Sequence, residues 1–329
     1  MIAAERLVTL ASDDIAAICR LIKTTPYVPY GPYHRLIPAE RVDRLLQIRT
    51  SRLARDPLAS WICHGSGYDS AYACWRHLDW DSRMFGMPAA RLEYLIAPRE
   101  YGPGLSSKLQ LLDVAIEQCR AAGVRHLSAR VDAGDLSTIH ALEARDFQLL
   151  DGIQTFSTSL GQETAAGVDD IKHEVRLVSP DDVPALLEIA RTAYVFDRFH
   201  ADHAISTETA DCINQEWVRN SCLGKAADGV IVACRDTQPV AYVTGKIDWE
   251  ARDVLGRTFA TIVLVATATT ERGRGAAKAA TQGVLQWFRT QEVDTVEVGT
   301  QLRNIPAARL YEGCGFRLIA ANLTFRALL

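Results

Sequence analysis

The chain has 329 residues, 48% apolar and 23% charged, with 36 Lys and Arg against 40 Asp and Glu for a formal net charge of −4. That balance fits a soluble globular protein long enough for two domains, and no basic block offers a nucleic-acid footprint. No run approaches the ~20 apolar residues of a membrane helix, the N-terminus is acidic at Glu5, Asp13 and Asp14 and lacks a signal-peptide core, and the cysteines form no Cys-x-x-Cys pair, so a cytoplasmic protein without a metal site is expected.

In chain order, Ala11-Ser12-Asp13-Asp14 opens an amphipathic pattern that predicts a helix over 13–23, and a second is expected over 39–55. Val124 to Val131 (VRHLSARV) predicts a strand. The stretch 161–174 (GQETAAGVDDIKHE) is polar without apolar periodicity and is expected to be a linker between a domain at 1–160 and another at 175–329. Helices are then expected over 184–194 and 207–221, and strands over 229–235, 240–246 and 259–267. A helix over 276–289 and a strand over 293–300 follow. The alternation implies an α/β fold with a mixed α+β sheet.

The chain also matches itself at an offset of 169. Val124 to Val131 falls on Val293 to Thr300, Asp135-Leu136 on Asn304-Ile305, Glu143 on Glu312 and Phe147 on Phe316. Near each start, Ala11-Ser12-Asp13-Asp14-Ile15 matches Ser179-Pro180-Asp181-Asp182-Val183. Two copies of one fold are expected, because the period is far too long for a solenoid.

Between the strand at 259–267 and the helix at 276–289 lies Glu271-Arg272-Gly273-Arg274-Gly275-Ala276-Ala277. A glycine-rich turn at a helix start gathers unpaired N–H groups and the positive end of the helix dipole, a phosphate-binding geometry. The spacing is neither the Gly-Lys-Ser/Thr of a Walker loop nor a dinucleotide fingerprint. At the same offset Arg272, Gly275 and Ala277 fall on Pro103, Ser106 and Lys108. Proline has no N–H to offer, so the first copy is expected to have lost this function. A second block runs Thr300-Gln301-Leu302-Arg303-Asn304-Ile305-Pro306-Ala307-Ala308-Arg309-Leu310-Tyr311-Glu312-Gly313-Cys314-Gly315-Phe316. Asn304 is placed to cap the helix or meet a cofactor, and Tyr311 follows two helical turns later.

The turn Arg272-x-x-Gly275-x-Ala277 resembles the pyrophosphate-binding turn of the GNAT superfamily, the acyl-CoA-dependent N-acyltransferases, and the second block resembles that superfamily's closing motif. The resemblance implies two tandem GNAT-like domains, the N-terminal one degenerate. It implies acetyl-CoA or another acyl-CoA as co-substrate, held by Leu264, Ala266, Thr267, Arg272, Gly273, Arg274, Gly275, Ala276, Ala277, Asn304 and Ala307. Tyr311 is assigned as general acid, since a phenol can protonate a departing thiolate. A third block, Arg198-Phe199-His200-Ala201-Asp202 followed by Trp217, Asn220 and Lys225, is similar to the sugar N-acyltransferases typified by dTDP-fucosamine N-acetyltransferase. So is Leu78-Asp79-Trp80-Asp81-Ser82-Arg83-Met84-Phe85-Gly86.

That similarity implies acetyl transfer to the amine of a nucleotide-linked amino sugar, with Arg198, His200 and Asp202 as substrate-binding candidates. The alternatives are another primary amine or an acyl-CoA-binding protein without turnover. His200, Asp202, Asp248, Glu250, Glu297 and a water chain all remain open as general base, since no acid stands on 262–267. The expected partners are a small-molecule amine, no nucleic acid and no membrane, in a monomer or homodimer.

Overall fold

The structure is a computed structural model that describes residues 5–7, 10–26, 28–65, 70–161 and 173–329. The chain divides into two compact units, Met1–Gly152 with Ala320–Leu329, and Ile153–Ile319.

The first unit contains β1 (Glu5–Leu7), α1 (Ser12–Ile22), α2 (Ala39–Ala54), β2 (Ala59–His64), β3 (Ala71–His77), α3 (Asp79–Phe85), β4 (Ala89–Ile96), α4 (Tyr101–Ala121), β5 (His126–Asp132) and α5 (Leu136–Glu143). Its core joins apolar side chains of β2 to β5 to Leu111, Leu112, Ala115 and Cys119 of α4.

The second unit takes most of β6 (Gln148–Ser159), then β7 (Glu174–Leu177), α6 (Val183–Ala193), α7 (Arg198–Ala201) and α8 (Thr207–Cys222). There follow β8 (Gly229–Arg235), β9 (Gln238–Asp248), α9 (Trp249–Leu255), β10 (Phe259–Thr267), α10 (Ala276–Thr290), β11 (Thr295–Gln301) and α11 (Ile305–Gly313). The last strand, β12 (Arg317–Leu328), starts in the second unit and ends in the first. The mixed α/β architecture expected from the alternation is present, and the helix ends at 184–194, 207–221 and 276–289 fall within one residue of α6, α8 and α10.

The division of the chain differs from a single cut at 161–174, of which 162–172 lie outside the described residues. Strand pairing explains the difference. Residues Ile153 to Ser159 of β6 run antiparallel to Gln301 to Thr295 of β11. Asn322 to Leu328 of β12 run antiparallel to Asp132 to His126 of β5. Each unit thus takes a closing strand from the other half of the sequence.

In the second unit the strands run β6-β11-β10-β9-β8-β7 among the described residues. Only β10 and β11 are parallel there, joined through α10, and the other pairs are antiparallel. One face of this sheet buries Ile262, Val284, Phe288, Val298, Tyr311 and Phe316 under α10 and α11. The other buries Leu186, Ile189, Val218, Tyr242, Leu264 and Ala266 under α6 and α8. Both apolar faces are covered, as a sheet with a parallel crossover requires.

Candidate functional site

The centre of the second unit is a split between two parallel strands. Residues Phe259 to Ile262 of β10 pair with Thr295 to Val298 of β11, and the pairing stops there. Beyond it, Gly299 to Gln301 pair only with β6, and Leu264 to Thr267 only with β9. A bulge at Val263 accompanies the split, since Ile262 faces Gly245 and Leu264 faces Thr244. Such bulges re-aim a strand.

The bulge also fixes which backbone groups face the split. The N–H of Leu264 donates to Thr244 Oγ1 at 3.0 Å, and that of Ala268 to Val240 O at 2.8 Å, both on the β9 side. By the alternation of an extended strand, Val265 and Thr267 turn their N–H and C=O groups toward the open edge. Of the residues expected on this strand, Leu264 and Ala266 are buried and direct their N–H groups to β9. Val265, absent from the expected set, faces the split with Thr267. Its signal is the bulge, which a sequence does not display.

A short 3-10 turn, Thr269–Glu271, leads from β10 to the glycine turn. Gly273 has φ 74° and Gly275 φ 92°, the left-handed region that glycine enters without strain. A Cβ built on either meets nothing within 4 Å, so the space before them is open. Gly275 caps α10 without any side-chain hydrogen bond. Ala276, Ala277 and Lys278 therefore present first-turn N–H groups at the positive end of a helix of 15 residues.

Arg272 directs Nη2 to the carbonyl of Ala193, the last residue of α6, at 3.1 Å, while Arg274 is exposed beside the turn. The turn is anchored from behind by Glu271, whose carboxylate holds both Nη atoms of Arg235 at 2.8 and 2.5 Å.

Across the split, Asn304 caps α11 by accepting from the Ala307 N–H at 3.3 Å. Tyr311 is buried, 4% exposed, between Phe156 and Phe316 with ring centroids 6.0 and 5.9 Å away. Burial, with the Cys314 thiol as a lesser cause, pushes its phenol well above the ordinary tyrosine value. The hydroxyl has no hydrogen-bond partner among the described residues, so its proton is not committed to a structural contact.

Arg198, His200 and Asp202 lie in or just after α7, and each is held by its own neighbourhood. Asp197 caps α7, accepting from the N–H groups of Phe199 and His200, and also from Asn214 Nδ2 at 3.0 Å. His200 Nδ1 meets Asp197 at 2.9 Å and Nε2 meets Asp211 at 3.2 Å. The hydrogen bond with Asp197 outweighs burial and raises the imidazole above its ordinary value. Both ring nitrogens face carboxylates, which favours the imidazolium, and in that form His200 has no lone pair with which to take a proton from an amine. Asp202 is 2% exposed and accepts from the Ala204 N–H at 3.0 Å, closing a turn. Arg198 lies over the Phe199 ring, 4.6 Å from its centroid. Asp248 caps α9 through the Ala251 N–H, and Glu297 stands on β11 opposite Ser157 and Thr261. Among the described residues no group of three or more His, Cys, Asp or Glu is placed to hold a metal ion, and no helix is long and apolar enough to cross a membrane.

The first unit repeats the split without the cradle. β4 and β5 pair in parallel from Ala89–His126 to Leu92–Ala129, and a bulge at Glu93 follows. The segment equivalent to the glycine turn, however, is wound into helix. α4 starts at Tyr101 and runs for 21 residues, and the Gly104 N–H is already bonded to Glu100 O at 2.8 Å. A Cβ on Gly104 would come within 2.6 Å of Pro98 O, so the backbone there is closed upon itself. Lys108, which falls on Ala277, sends its ammonium to Asp135, which falls on Asn304. The contacts are 3.0 and 3.2 Å to the carboxylate and 2.8 Å to Ser137 Oγ. Tyr101 Oη and His140 Nδ1 add a second link, 2.6 Å long, between the two helices.

Residues 184–316 match the acetyltransferase (GNAT) family. The chain is 34% identical over 138 residues to the spore coat polysaccharide biosynthesis protein SpsD of Bacillus subtilis (strain 168). That match covers 42% of this chain and 44% of the relative's length. Among solved structures, a GCN5-related N-acetyltransferase from Sphaerobacter thermophilus aligns over 99% of this chain and 95% of its own, with a TM-score of 0.63 and 18% identity. A tandem GNAT protein from the clavulanic acid biosynthesis pathway aligns over 100% and 98%, with a TM-score of 0.54 and 15% identity. These two share the fold.

Proposed function

We propose that the protein, whose residues 184–316 match the acetyltransferase (GNAT) family, transfers an acetyl group from acetyl-CoA to the primary amine of a nucleotide-linked amino sugar. GNAT proteins use acetyl-CoA. The observation that carries the proposal here is the open, uncapped start of α10 behind Gly273 and Gly275. Its free N–H groups suit a pyrophosphate, with Arg274 adjacent. The N–H groups of Val265 and Thr267 in the split suit the pantetheine arm and the thioester oxygen. When bound, acetyl-CoA supplies the electrophilic carbonyl.

The protein's own groups then have distinct tasks. The split positions the carbonyl against the amine. Tyr311, kept protonated by burial, gives its proton to the departing sulfur. Atoms balance: the N–C bond forms as the C–S bond breaks, Tyr311 protonates the thiolate, the amine gives up one proton to solvent, and the phenolate takes one back from solvent. The first unit is proposed to bind no acyl-CoA. Its helix start is closed, and the Lys108 ammonium is committed to Asp135 and Ser137.

The sugar assignment rests on the relative named for polysaccharide biosynthesis together with the sequence similarity at 198–228. Free-thiol release from acetyl-CoA, measured with dTDP- and UDP-linked amino sugars beside aminoglycosides and amino acid amides, tests it. Release with a nucleotide-linked amino sugar at a kcat/KM at least about 10² above the other amines is expected, a difference of roughly 2.7 kcal/mol in transition-state binding. Release with aminoglycosides alone would refute the sugar assignment, and release with none of the amines would refute catalysis.

A further inference from the structure

Three phenols of the second unit lie near one another on the two faces of its sheet. Tyr311 comes from α11, on the face covered by α10. Tyr242 comes from β9, where it is the cross-strand partner of Ala266, and belongs with Leu264 and Ala266 to the core under α6 and α8. Tyr194 follows α6 directly and shares a hydroxyl–hydroxyl hydrogen bond of 3.0 Å with Tyr242. Tyr194 also lies within electrostatic reach of Tyr311. The two sides of the reaction therefore have different phenols, and only Tyr311 has a place in the mechanism so far.

The surroundings of Tyr194 suit a contact with substrate. Tyr242 is fully buried, whereas Tyr194 is half-buried, so of the pair it is Tyr194 that keeps some solvent exposure. Its position is fixed twice. Tyr242 holds the hydroxyl, and the Arg272 guanidinium holds the carbonyl of the preceding residue, Ala193, from the cofactor turn. A hydroxyl tied to one partner keeps hydrogen-bonding capacity for another. If Tyr194 donates to Tyr242, both of its lone pairs remain to accept from an N–H group.

We infer that the Tyr194 hydroxyl accepts a hydrogen bond from the acceptor amine, turning the amine's lone pair toward the thioester carbon, and that Tyr242 is the positioning residue that orients it. This inference rests on the acyl-transfer proposal above. Burial raises the Tyr194 phenol above its ordinary value, so it stays neutral and acts as an orienting acceptor rather than as the base.

The test compares Tyr194→Phe and Tyr242→Phe in the full chain, with acetyl-CoA and the best nucleotide-linked amino sugar of the panel, or D-glucosamine if it is faster. Either variant removes the hydroxyl pair, but only Tyr194→Phe removes the oxygen proposed to meet the amine. Tyr194→Phe should lower kcat/KM for the amine about 10- to 100-fold, mostly through KM, with the acetyl-CoA Kd from calorimetry within about twofold of wild type. Tyr242→Phe should cost about threefold, as expected for a lost orienting contact. Equal effects of the two variants, or unchanged amine kinetics in Tyr194→Phe, would overturn the role of Tyr194 while leaving acyl transfer standing. A wild type that binds acetyl-CoA but acylates none of the amines would overturn the acyl-transfer proposal and this inference with it.

Discussion

Tyr311→Phe is expected to lower kcat about 10²- to 10⁴-fold while changing the acetyl-CoA Kd by less than about twofold, the range for loss of a positioned general acid. The substitution removes one oxygen and keeps the ring that packs between Phe156 and Phe316. The core should therefore survive, and a melting temperature within a few degrees of wild type is the control. The hydroxyl has no hydrogen-bond partner among the described residues, so its removal strands none. Burial keeps the phenol protonated well beyond neutral pH, so the acid is available throughout the working range. A full kcat in Tyr311→Phe would remove the residue from the chemistry. A loss seen only in KM would make it a binding residue.

The largest expected effect on stability lies in the other unit, at Lys108. The side chains of Lys108 and Asp135 are 6% and 14% exposed. Replacing Lys108 with Met keeps the bulk but leaves a buried carboxylate without its cation, for which losses of about 3 to 5 kcal/mol are usual. Thr138 still donates to Asp135 through its N–H and hydroxyl, so the lower end, about 3 kcal/mol, is expected. In a unit of this size that corresponds to a melting shift of roughly 10 °C.

The pH dependence has a definite sign. Burial by itself raises the Asp135 carboxyl, but Lys108 and Thr138 prevail and hold it below its ordinary value of 3.8. The stabilisation is thus complete above about pH 4 and is lost as pH falls through the lowered folded value. Denaturant unfolding of wild type, Lys108→Met and Lys108→Met/Asp135→Asn checks both points. The double variant should recover most of the loss at pH 7, because it removes the stranded charge and keeps a helix cap. Wild-type stability in Lys108→Met would show the ion pair to be idle.

Local chemistry in the sequence located the elements well. Gly229–Arg235 and Phe259–Thr267 form strands with the expected ends, and the glycine turn stands between β10 and α10 as its composition predicts. The internal match correctly pointed to two similar halves, because the parallel pair with its bulge recurs in each. Long-range pairing was not legible. Nothing local in Ile153 to Ser159 or Asn322 to Leu328 says which sheet each strand joins.

The chemistry of the site was legible only where backbone conformation carries it. Gly273 and Gly275 need positive φ, and their residue type says so. Gly102-Pro103-Gly104 reads as a turn, yet it lies in the first turn of α4, where proline is tolerated. The reach of Lys108 to Asp135, of Arg272 to Ala193 and of His200 to Asp211 are tertiary contacts between residues 11 to 79 positions apart. Residue type alone presented Arg272 and His200 as available for ligands. The Tyr194–Tyr242 pair, 48 positions apart, escaped notice for the same reason.

The central claim is that one acyl-CoA site per chain lies at the open start of α10. Calorimetric titration of the full chain with acetyl-CoA, wild type beside Gly275→Val, tests it most directly. At φ 92° a β-branched residue is strained, and its side chain enters the space the phosphates need. A single site per chain in wild type, weakened at least about 10-fold in a variant that still melts cooperatively, is the predicted result. Two sites per chain, or undiminished binding by folded Gly275→Val, would contradict the account.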